Sequence, residues 1–246
     1  LQTMNTLESS LMVFAYEAER ALMEDPPAAP KIYYAPDFDN PSLAPSDLAP
    51  YRRYLKNPKT GIFPTILVSY DHPVFLLAPG VSKLSVENDV KRLTRIAPTL
   101  KRLSGKLGKM VFWTYVSTEN GIHISYPGHG GYPENYDPRK RPWYRDAAGD
   151  VQWTFPIVDA TTGLVIFTAS KRFQHADRSN AGVVGMDIQI TEILQEKELA
   201  YDWSSQMRSF LVATSDNPGS NRPGLLILAQ KDYQDKQVSW AGFIEK

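Results

Sequence analysis

The sequence predicts an α+β fold in which a long N-terminal helix and further helices pack on an antiparallel sheet. Apolar residues recur at steps of three and four in the helical segments, whereas short runs of β-branched and aromatic residues are separated by tight turns. Predicted hairpins outnumber alternating strand–helix units, which favours an antiparallel sheet. The length of 246 residues allows one large domain or two smaller lobes, and a hydrophobic share of 42% is ample for a packed core.

The first predicted element is a helix that runs from residue 1 to about residue 24. Its apolar residues form a seam of the kind that packs helices together: Met4, Leu7, Leu11, Phe14, Ala18 and Ala21. The seam either packs against the rest of its own chain or pairs two copies in a parallel homodimer. Only three heptads are visible, so both interpretations stay open.

Residues 26–84 have little periodicity. Three prolines end the first helix: Pro26, Pro27 and Pro30. Two apolar runs at 62–70 and 74–77 form either a hairpin or a loop over the core. The sequence does not reveal what this long insertion does.

The following segments supply the remaining helices and the sheet. Helical spacing at 85–105 predicts a helix that Pro98 kinks or divides in two. Two hairpins are predicted, the first from strands at 110–118 and 122–126 and the second from strands at 153–158 and 164–173. The last predicted elements are a strand at 182–190, a helix from 191 to about 208, and short strands at 210–213 and 225–229.

Composition excludes several classes of function. Lys plus Arg and Asp plus Glu each number 27, so no global field attracts nucleic acid, and no nucleic-acid partner is expected. The absence of cysteine excludes disulfides and thiolate chemistry, and the four histidines lack the spacing of a zinc site. We therefore expect neither a metal nor a cofactor. No local motif pairs a nucleophile with a base, so we expect no enzyme, although a hydrolase with a spatial triad stays an alternative.

No segment approaches the about 20 consecutive apolar residues of a membrane span. Because the first residue is Leu1 rather than methionine, we expect the chain to be a piece of a longer protein whose flanking segments include membrane helices. The stretch Gly128-His129-Gly130-Gly131 lacks the lysine and hydroxyl residue that end a P-loop, and we interpret it as a flexible pocket rim.

Residues 132–147 form a non-periodic linker that is dense in cations, aromatic residues and prolines. A guanidinium beside an indole N–H and a phenol offers a preorganised set of donors for a carboxylate or phosphate. Loops on a rigid sheet commonly carry binding residues. The alternative is that Arg141 pairs with a carboxylate such as Asp146, while Trp143 and Tyr144 fill the core.

Three ordered motifs resemble the signature of double Cache sensor domains. They are Tyr136-Asp137-Pro138-Arg139-Lys140-Arg141-Pro142-Trp143-Tyr144, then Trp153 with Asp159-Ala160-Thr161-Thr162-Gly163, and Gly182-Val183-Val184-Gly185-Met186-Asp187-Ile188. The resemblance covers roughly residues 85–194. It implies PAS-like antiparallel sheet lobes: a membrane-distal lobe at 31–195 that binds ligand and a smaller membrane-proximal lobe at 196–246, preceded by a long helix at 1–30.

The resemblance also implies a function and a location. The parent would be an inner-membrane receptor, such as a chemoreceptor, histidine kinase, cyclase or phosphatase, and this chain its periplasmic or extracellular sensor. Such a sensor binds a small molecule and catalyses nothing. A structural or adhesive module of similar fold is the alternative.

In members that bind amino acids, the resemblance implies the residues that hold the ligand. Arg141 and Trp143 would hold the ligand carboxylate, helped by Tyr136. Tyr144 and Asp187 would hold the ammonium. This arrangement suits a zwitterion, which needs a fixed cation at one end and a fixed anion at the other.

The sequence departs from the amino-acid binders at Ile157, where they usually carry a tyrosine whose hydroxyl joins the ammonium pocket. An isoleucine side chain forms no hydrogen bond. The ligand class therefore stays open among an amino acid, another carboxylate and an amine. Asp187 also has a structural interpretation, as a strand-end residue that caps a neighbouring turn.

Overall fold

The computed structural model describes residues 2–51, 66–108, 110–154, 157–159, 161, 165–189, 210–215 and 224–230. The chain divides into two compact units, Leu1–Ile188 and Gln189–Lys246. The first unit contains an N-terminal helix, shorter helices and a seven-stranded antiparallel sheet. The predicted α+β class is confirmed.

Five α-helices lie in the described part of the first unit: α1 (Gln2–Met23), α2 (Ala35–Phe38), α3 (Glu87–Leu93), α4 (Ala97–Lys106) and α5 (Pro142–Arg145). The helix predicted at 85–105 is divided, since a 3₁₀ turn at Thr94–Ile96 separates α3 from α4. Pro98 lies in the first turn of α4, where its missing N–H leaves no hydrogen bond unmade.

The strands of the first unit are β1 (Ala49–Pro50), β2 (Leu67–Ser69), β3 (Val74–Leu77), β4 (Val111–Thr118), β5 (Ile122–Tyr126), β6 (Gly128–His129), β7 (Gln152–Trp153), β8 (Ile157–Val158), β9 (Val165–Gln174) and β10 (Asn180–Gln189). The large sheet has the order β3-β5-β4-β10-β9-β7, and β8 also pairs with β9. Both predicted hairpins are confirmed, β4 with β5 and β9 with the short strands β7 and β8.

One alternative for the insertion is wrong. β2 and β3 do not pair with each other, because β2 lies between β1 and β6 in a small sheet while β3 pairs with β5 at the edge of the large sheet. Each strand finds a partner distant in sequence, so the intervening Asp71-His72-Pro73 connects two sheets instead of turning a hairpin.

In the second unit, β11 (Phe210–Ser215) and β12 (Gly224–Gln230) pair in antiparallel fashion. These strands correspond to the two short strands predicted near the C-terminus. The helix predicted from 191 to about 208 lies outside the described residues.

The seam of α1 packs within its own chain. Leu7, Leu11 and Phe14 are fully buried, and α1 contacts β9 and α3. The helix is also held by a hydrogen bond that the Trp153 indole N–H donates to a Glu8 carboxylate oxygen at 2.8 Å. A homodimer through the N-terminal helix would therefore need the opposite, exposed face. Among the described helices, none combines the length and apolarity needed to cross a membrane.

Replacing a seam residue should destabilise the protein although the seam lies on a terminal helix. We expect Phe14→Ala to lower the free energy of unfolding by about 3–5 kcal/mol, because a fully buried ring leaves a cavity. Met12, on the same helix, is 56% exposed, and Met12→Ala should change it by less than about 0.5 kcal/mol. Urea-induced unfolding measures both variants, and equal losses would contradict the packing of this face.

Candidate functional site

One face of the large sheet carries a group of aromatic and polar side chains. Trp113, Tyr115 and Ser117 alternate along β4 and therefore project from the same face. The register places the following residues opposite each other: Trp113 and Asp187, Tyr115 and Ser125, Ser117 and His123. Because cross-strand partners share a face, the three strands β5, β4 and β10 present these side chains together.

This face contributes to a cavity with about 400 Å³ of empty space, part of which is open to solvent. The lining residues are Trp113, Tyr115, His123, Ser125, His129, Tyr132, Tyr136, Arg141, Trp143, Asp159, Thr161, Ile166 and Asp187. Aromatic walls with a few charged groups suit a small, charged ligand.

Four of the residues predicted to bind ligand line this cavity together: Tyr136, Arg141, Trp143 and Asp187. Tyr144 is not among the lining residues. It is buried beside them, and its ring lies edge-on to Trp143 with 5.8 Å between centroids. The backbone of Ile157 lies on β8, but its side chain lies outside the described part of the structure.

The linker places Arg141 and Trp143 at the cavity by a local fold. Asp137 accepts hydrogen bonds from the backbone N–H and the guanidinium of Arg139, which forms an ion pair at 2.9 Å. These bonds hold a 3₁₀ turn that begins at Pro138, and Pro142 starts α5 directly after Arg141. The hydrogen bonds from Arg139 lower the pKa of Asp137. Arg139 therefore shapes the linker, while Arg141, two residues later, lines the cavity.

Asp187 is a buried carboxyl group at the centre of the sheet, 4% exposed. The Tyr115 hydroxyl donates to its Oδ1 atom at 2.7 Å, and the Thr168 hydroxyl donates to the same atom at 2.6 Å. Burial raises the pKa of Asp187 to about 8, helped by the nearby Asp159 and opposed by the two hydroxyl donors and Arg141. These described partners are side chains on the two neighbouring strands, β4 and β9, which differs from the turn-capping role considered for this residue.

A glycine makes the Tyr115 contact possible. Gly185 faces Tyr115 across the β4–β10 pair, and a Cβ atom at this position would lie 2.3 Å from the Tyr115 ring. The ring therefore packs directly over the backbone of β10, with its hydroxyl against Asp187. Glycine inside a strand often marks such a close approach.

Two buried histidines line the cavity without contributing charge. The Nδ1 atom of His123 lies 2.6 Å from the Ser117 hydroxyl, and burial lowers the pKa of His123 to about 3. Burial also lowers the pKa of His129. Both imidazoles are therefore neutral near pH 7.

The insertion at residues 26–84 packs against residues that line the cavity. Tyr51 stacks on Trp113 with 4.8 Å between centroids, and its hydroxyl donates to the Phe112 carbonyl. β2, also from the insertion, pairs with β6 and so holds His129 at the cavity. The role that the sequence left open for residues 26–84 thus includes supporting residues of the cavity wall from behind.

The glycine-rich stretch is tightly enclosed by the same insertion. The Gly131 N–H donates to Asp39 at 3.1 Å, and a Cβ atom on Gly130 would lie 2.2 Å from that carboxylate. At Gly128, a Cβ atom would lie 2.4 Å from the His72 carbonyl. At Gly128 and Gly130 the stretch is packed backbone whose glycines allow close approach, whereas Gly131 is exposed.

Several cavity residues were missed at the sequence level: Trp113, Tyr115, His123, Ser125, His129, Tyr132 and Asp159. A signal existed on β4 and β5, where polar and aromatic residues alternate on one face of strands that are buried throughout. Period-two polarity inside an otherwise apolar strand indicates a buried polar face. Within the described residues, no group of three or more His, Cys, Asp or Glu side chains could hold a metal ion.

Adding one methyl group at Gly185 should disturb the site. We expect Gly185→Ala to lower the free energy of unfolding by about 1–3 kcal/mol, because the Tyr115 ring must move away from Asp187. Gly149 is an exposed glycine with no atom within 4 Å of an added Cβ, and Gly149→Ala is the matched control. Urea-induced unfolding of both variants measures the difference, and a Gly185→Ala variant as stable as the control would contradict the close packing.

The ionisation of Asp187 should make the stability of the ligand-free protein depend on pH. Burial raises the pKa of Asp187 to about 8 in the folded protein, whereas the ordinary pKa of an aspartate is 3.8. Between these limits the folded state binds more protons than the unfolded state, so stability falls as pH rises, by on the order of 1.4 kcal/mol per pH unit. Asp187→Asn removes this contribution.

The free energy of unfolding of Asp187→Asn should therefore increase relative to that of the parent protein as pH rises from about 4 to about 8. Urea-induced unfolding at several pH values across this window measures the difference. The exposed Asp150 supplies the matched control, Asp150→Asn. Parallel pH profiles for the parent and Asp187→Asn would contradict a raised pKa.

Known proteins share the part of the chain that contains the cavity. Residues 93–195 match the family model described as methyl-accepting chemotaxis protein-like, first PDC sensor domain. The methyl-accepting chemotaxis protein McpB of Bacillus subtilis (strain 168) is 35% identical over 135 residues, which cover 46% of this chain and 20% of McpB. McpC of the same organism is 38% identical over 87 residues, which cover 34% of this chain and 13% of McpC.

A solved structure is also similar. The ligand-binding domain of the Pseudomonas fluorescens chemoreceptor CtaA in complex with L-serine aligns with 50% of this chain and 51% of that chain, at 25% identity and a TM-score of 0.41. The aligned regions span a fifth or less of the length of McpB and McpC. All the cavity-lining residues fall inside the range 93–195. Residues 93–195 therefore match the first PDC sensor domain of methyl-accepting chemotaxis protein-like receptors, in line with the resemblance of the sequence motifs to Cache domains.

Proposed function

We propose that this chain is the extracytoplasmic sensor part of a membrane receptor and that its cavity binds an α-amino acid without chemical turnover. The observation that carries the proposal is the presence of a guanidinium and a buried carboxyl group in one small cavity, on Arg141 and Asp187. A zwitterion has both charges needed to match them. A simple carboxylate or a simple amine would supply only one of the two complementary charges.

The carboxylate of the ligand is assigned to the linker side of the cavity. Arg141 supplies a charge-assisted donor there, with Trp143 and Tyr136 as neighbouring donors. Burial raises the pKa of Tyr136, and the positive charge of Arg141 opposes part of this increase. Tyr144 contributes by packing against Trp143 and fixing its ring.

The ammonium of the ligand is assigned to Asp187, with Asp159 close by. A cation that enters beside Asp187 favours its ionised form and so replaces the proton that burial retains. Tyr115 places a phenol against Asp187 at 2.7 Å. The ammonium end therefore includes a hydroxyl group although Ile157 supplies none.

The proposed placement in the cell follows from the family. McpB and McpC are methyl-accepting chemotaxis proteins, and we assign this chain to the periplasmic or extracellular side of a comparable inner-membrane receptor. The division proposed is a long helix at 1–30, a membrane-distal ligand-binding lobe at 31–195 and a membrane-proximal lobe at 196–246.

The route of the signal is proposed to begin at β10. Asp187 directly precedes Ile188, the last residue of the first compact unit. A ligand that shifts Asp187 thus acts on the chain segment that continues into the second unit. The shift can transmit only as much free energy as the difference in ligand affinity between the two states.

An amino-acid panel with matched analogues tests the proposal. We expect L-α-amino acids to raise the thermal midpoint of the parent protein, because ligand binds the folded state. Analogues that lack either the amino or the carboxylate group should bind more weakly. Arg141→Ala should weaken amino-acid binding by about ten- to a hundred-fold, since it removes a charge-assisted contact.

The matched control is Arg145→Ala, which removes an exposed arginine from the end of the same short helix. Isothermal titration calorimetry compares the two variants with the parent. Unchanged affinity in a folded Arg141→Ala variant would exclude the carboxylate assignment. Equal binding of des-amino analogues would exclude the role of Asp187.

A further inference from the structure

A chain of hydrogen bonds lies in the cavity wall beyond the groups assigned to the zwitterion. The Nδ1 atom of His129 lies 2.8 Å from the Gly130 carbonyl. A carbonyl only accepts, so Nδ1 carries the proton and Nε2 of the neutral ring is an acceptor. The Tyr132 hydroxyl lies 3.1 Å from this Nε2 atom and therefore donates to it.

Ser125 extends the chain. Burial raises the pKa of Tyr132 well above its ordinary value, while the hydrogen bond with Ser125 acts in the opposite direction. The Tyr132 hydroxyl has one hydrogen and donates it to His129, so it accepts in its hydrogen bond with Ser125, and Ser125 donates. The order of donation is Ser125 to Tyr132 to His129 to Gly130. The hydroxyl hydrogens are used within the chain, and a ligand meets oxygen lone pairs.

The charges near this chain are negative. Asp159 and Asp39 act on His129 and oppose the effect of burial on its pKa, and the ring stays neutral. The positive charge of Arg141 acts instead on Tyr136 and Asp187. Among the described residues, the charged groups that act on His129 are carboxylates, so a second carboxylate on the ligand would meet acceptors and like charge there, which is costly in a desolvated site.

We infer that Ser125, His129 and Tyr132 form a subsite for the ligand side chain, selecting amino acids that end in an uncharged hydrogen-bond donor over those that end in a carboxylate. The inference rests on the proposed function, because it takes Arg141 as occupied by the α-carboxylate. An amide and a carboxylate have nearly the same shape. They differ in that an amide nitrogen donates where the carboxylate oxygen can only accept.

Calorimetric titration of the parent protein with isosteric pairs tests the selection. The pairs are L-glutamine with L-glutamate and L-asparagine with L-aspartate, and L-alanine serves as a ligand without a polar side chain. We expect the amide of at least one pair to bind about tenfold or more tightly than its acid. Acids that bind as well as amides, or alanine binding with no binding of either amide, would overturn the subsite and leave the proposed function standing. If no α-amino acid binds, the proposed function fails first.

A substitution locates the effect. Tyr132→Phe removes the hydroxyl that links Ser125 to His129, and we expect it to reduce the preference for amide over acid by about tenfold. Tyr33→Phe is the matched control, because Tyr33 packs against Phe38 and His72 and is not among the cavity-lining residues. An unchanged amide-to-acid ratio in Tyr132→Phe would overturn the assignment, as would the same change in Tyr33→Phe.

Discussion

A carboxyl group buried in the middle of a sheet is the constraint on which the rest of this structure depends. Asp187 lies on β10, and its two neighbouring strands in the sheet, β4 and β9, supply the hydroxyls of Tyr115 and Thr168. Two donors to one oxygen offset part of the cost of burying a carboxylate, but its raised pKa shows that the cost is not fully offset. The site therefore favours a cation, and the geometry of the sheet fixes where that cation must lie.

Much of the remaining architecture serves to keep this group enclosed. Gly185 lets the Tyr115 ring lie flat on β10 so that its hydroxyl reaches the carboxyl group. The insertion packs against other residues of the cavity wall: Tyr51 stacks on Trp113, and Asp39 binds the glycine-rich backbone beside His129. The insertion has no clear periodicity, and contacts with distant parts of the chain hold it in place. Tyr51 packs on β4, and Asp39 binds the backbone that follows β6.

The parts of this structure that could be predicted are those determined by local patterns. The spacing of apolar residues predicts the helix α1, and the turn at Glu119-Asn120-Gly121 predicts the hairpin of β4 and β5. Both patterns involve only residues close together in the sequence. The pairing of β2 with β6 could not be predicted, because the strand has no local partner. The positions of His129 and Tyr132 could not be predicted either. Alternation of polar and apolar residues along a strand shows which residues share a face, but not which face lines a cavity. The ordered motifs brought Arg141 and Asp187 into one site, whereas Tyr144 follows Trp143 on a short helix and therefore points elsewhere.

The charge balance of the cavity connects binding to a conformational response. Its described lining contains two carboxyl groups and one guanidinium, while the histidines are neutral. Without ligand, a proton on Asp187 removes the excess negative charge. In the proposed function the ligand ammonium pairs with the ionised carboxylate of Asp187 while the ligand carboxylate pairs with Arg141, and the proton leaves. A proton is held by one oxygen, but an ammonium needs several acceptors at hydrogen-bond distance. The exchange therefore requires the carboxyl group and its neighbours to adjust around the ligand, and in the proposed route of the signal β10 carries this adjustment to the end of the first unit.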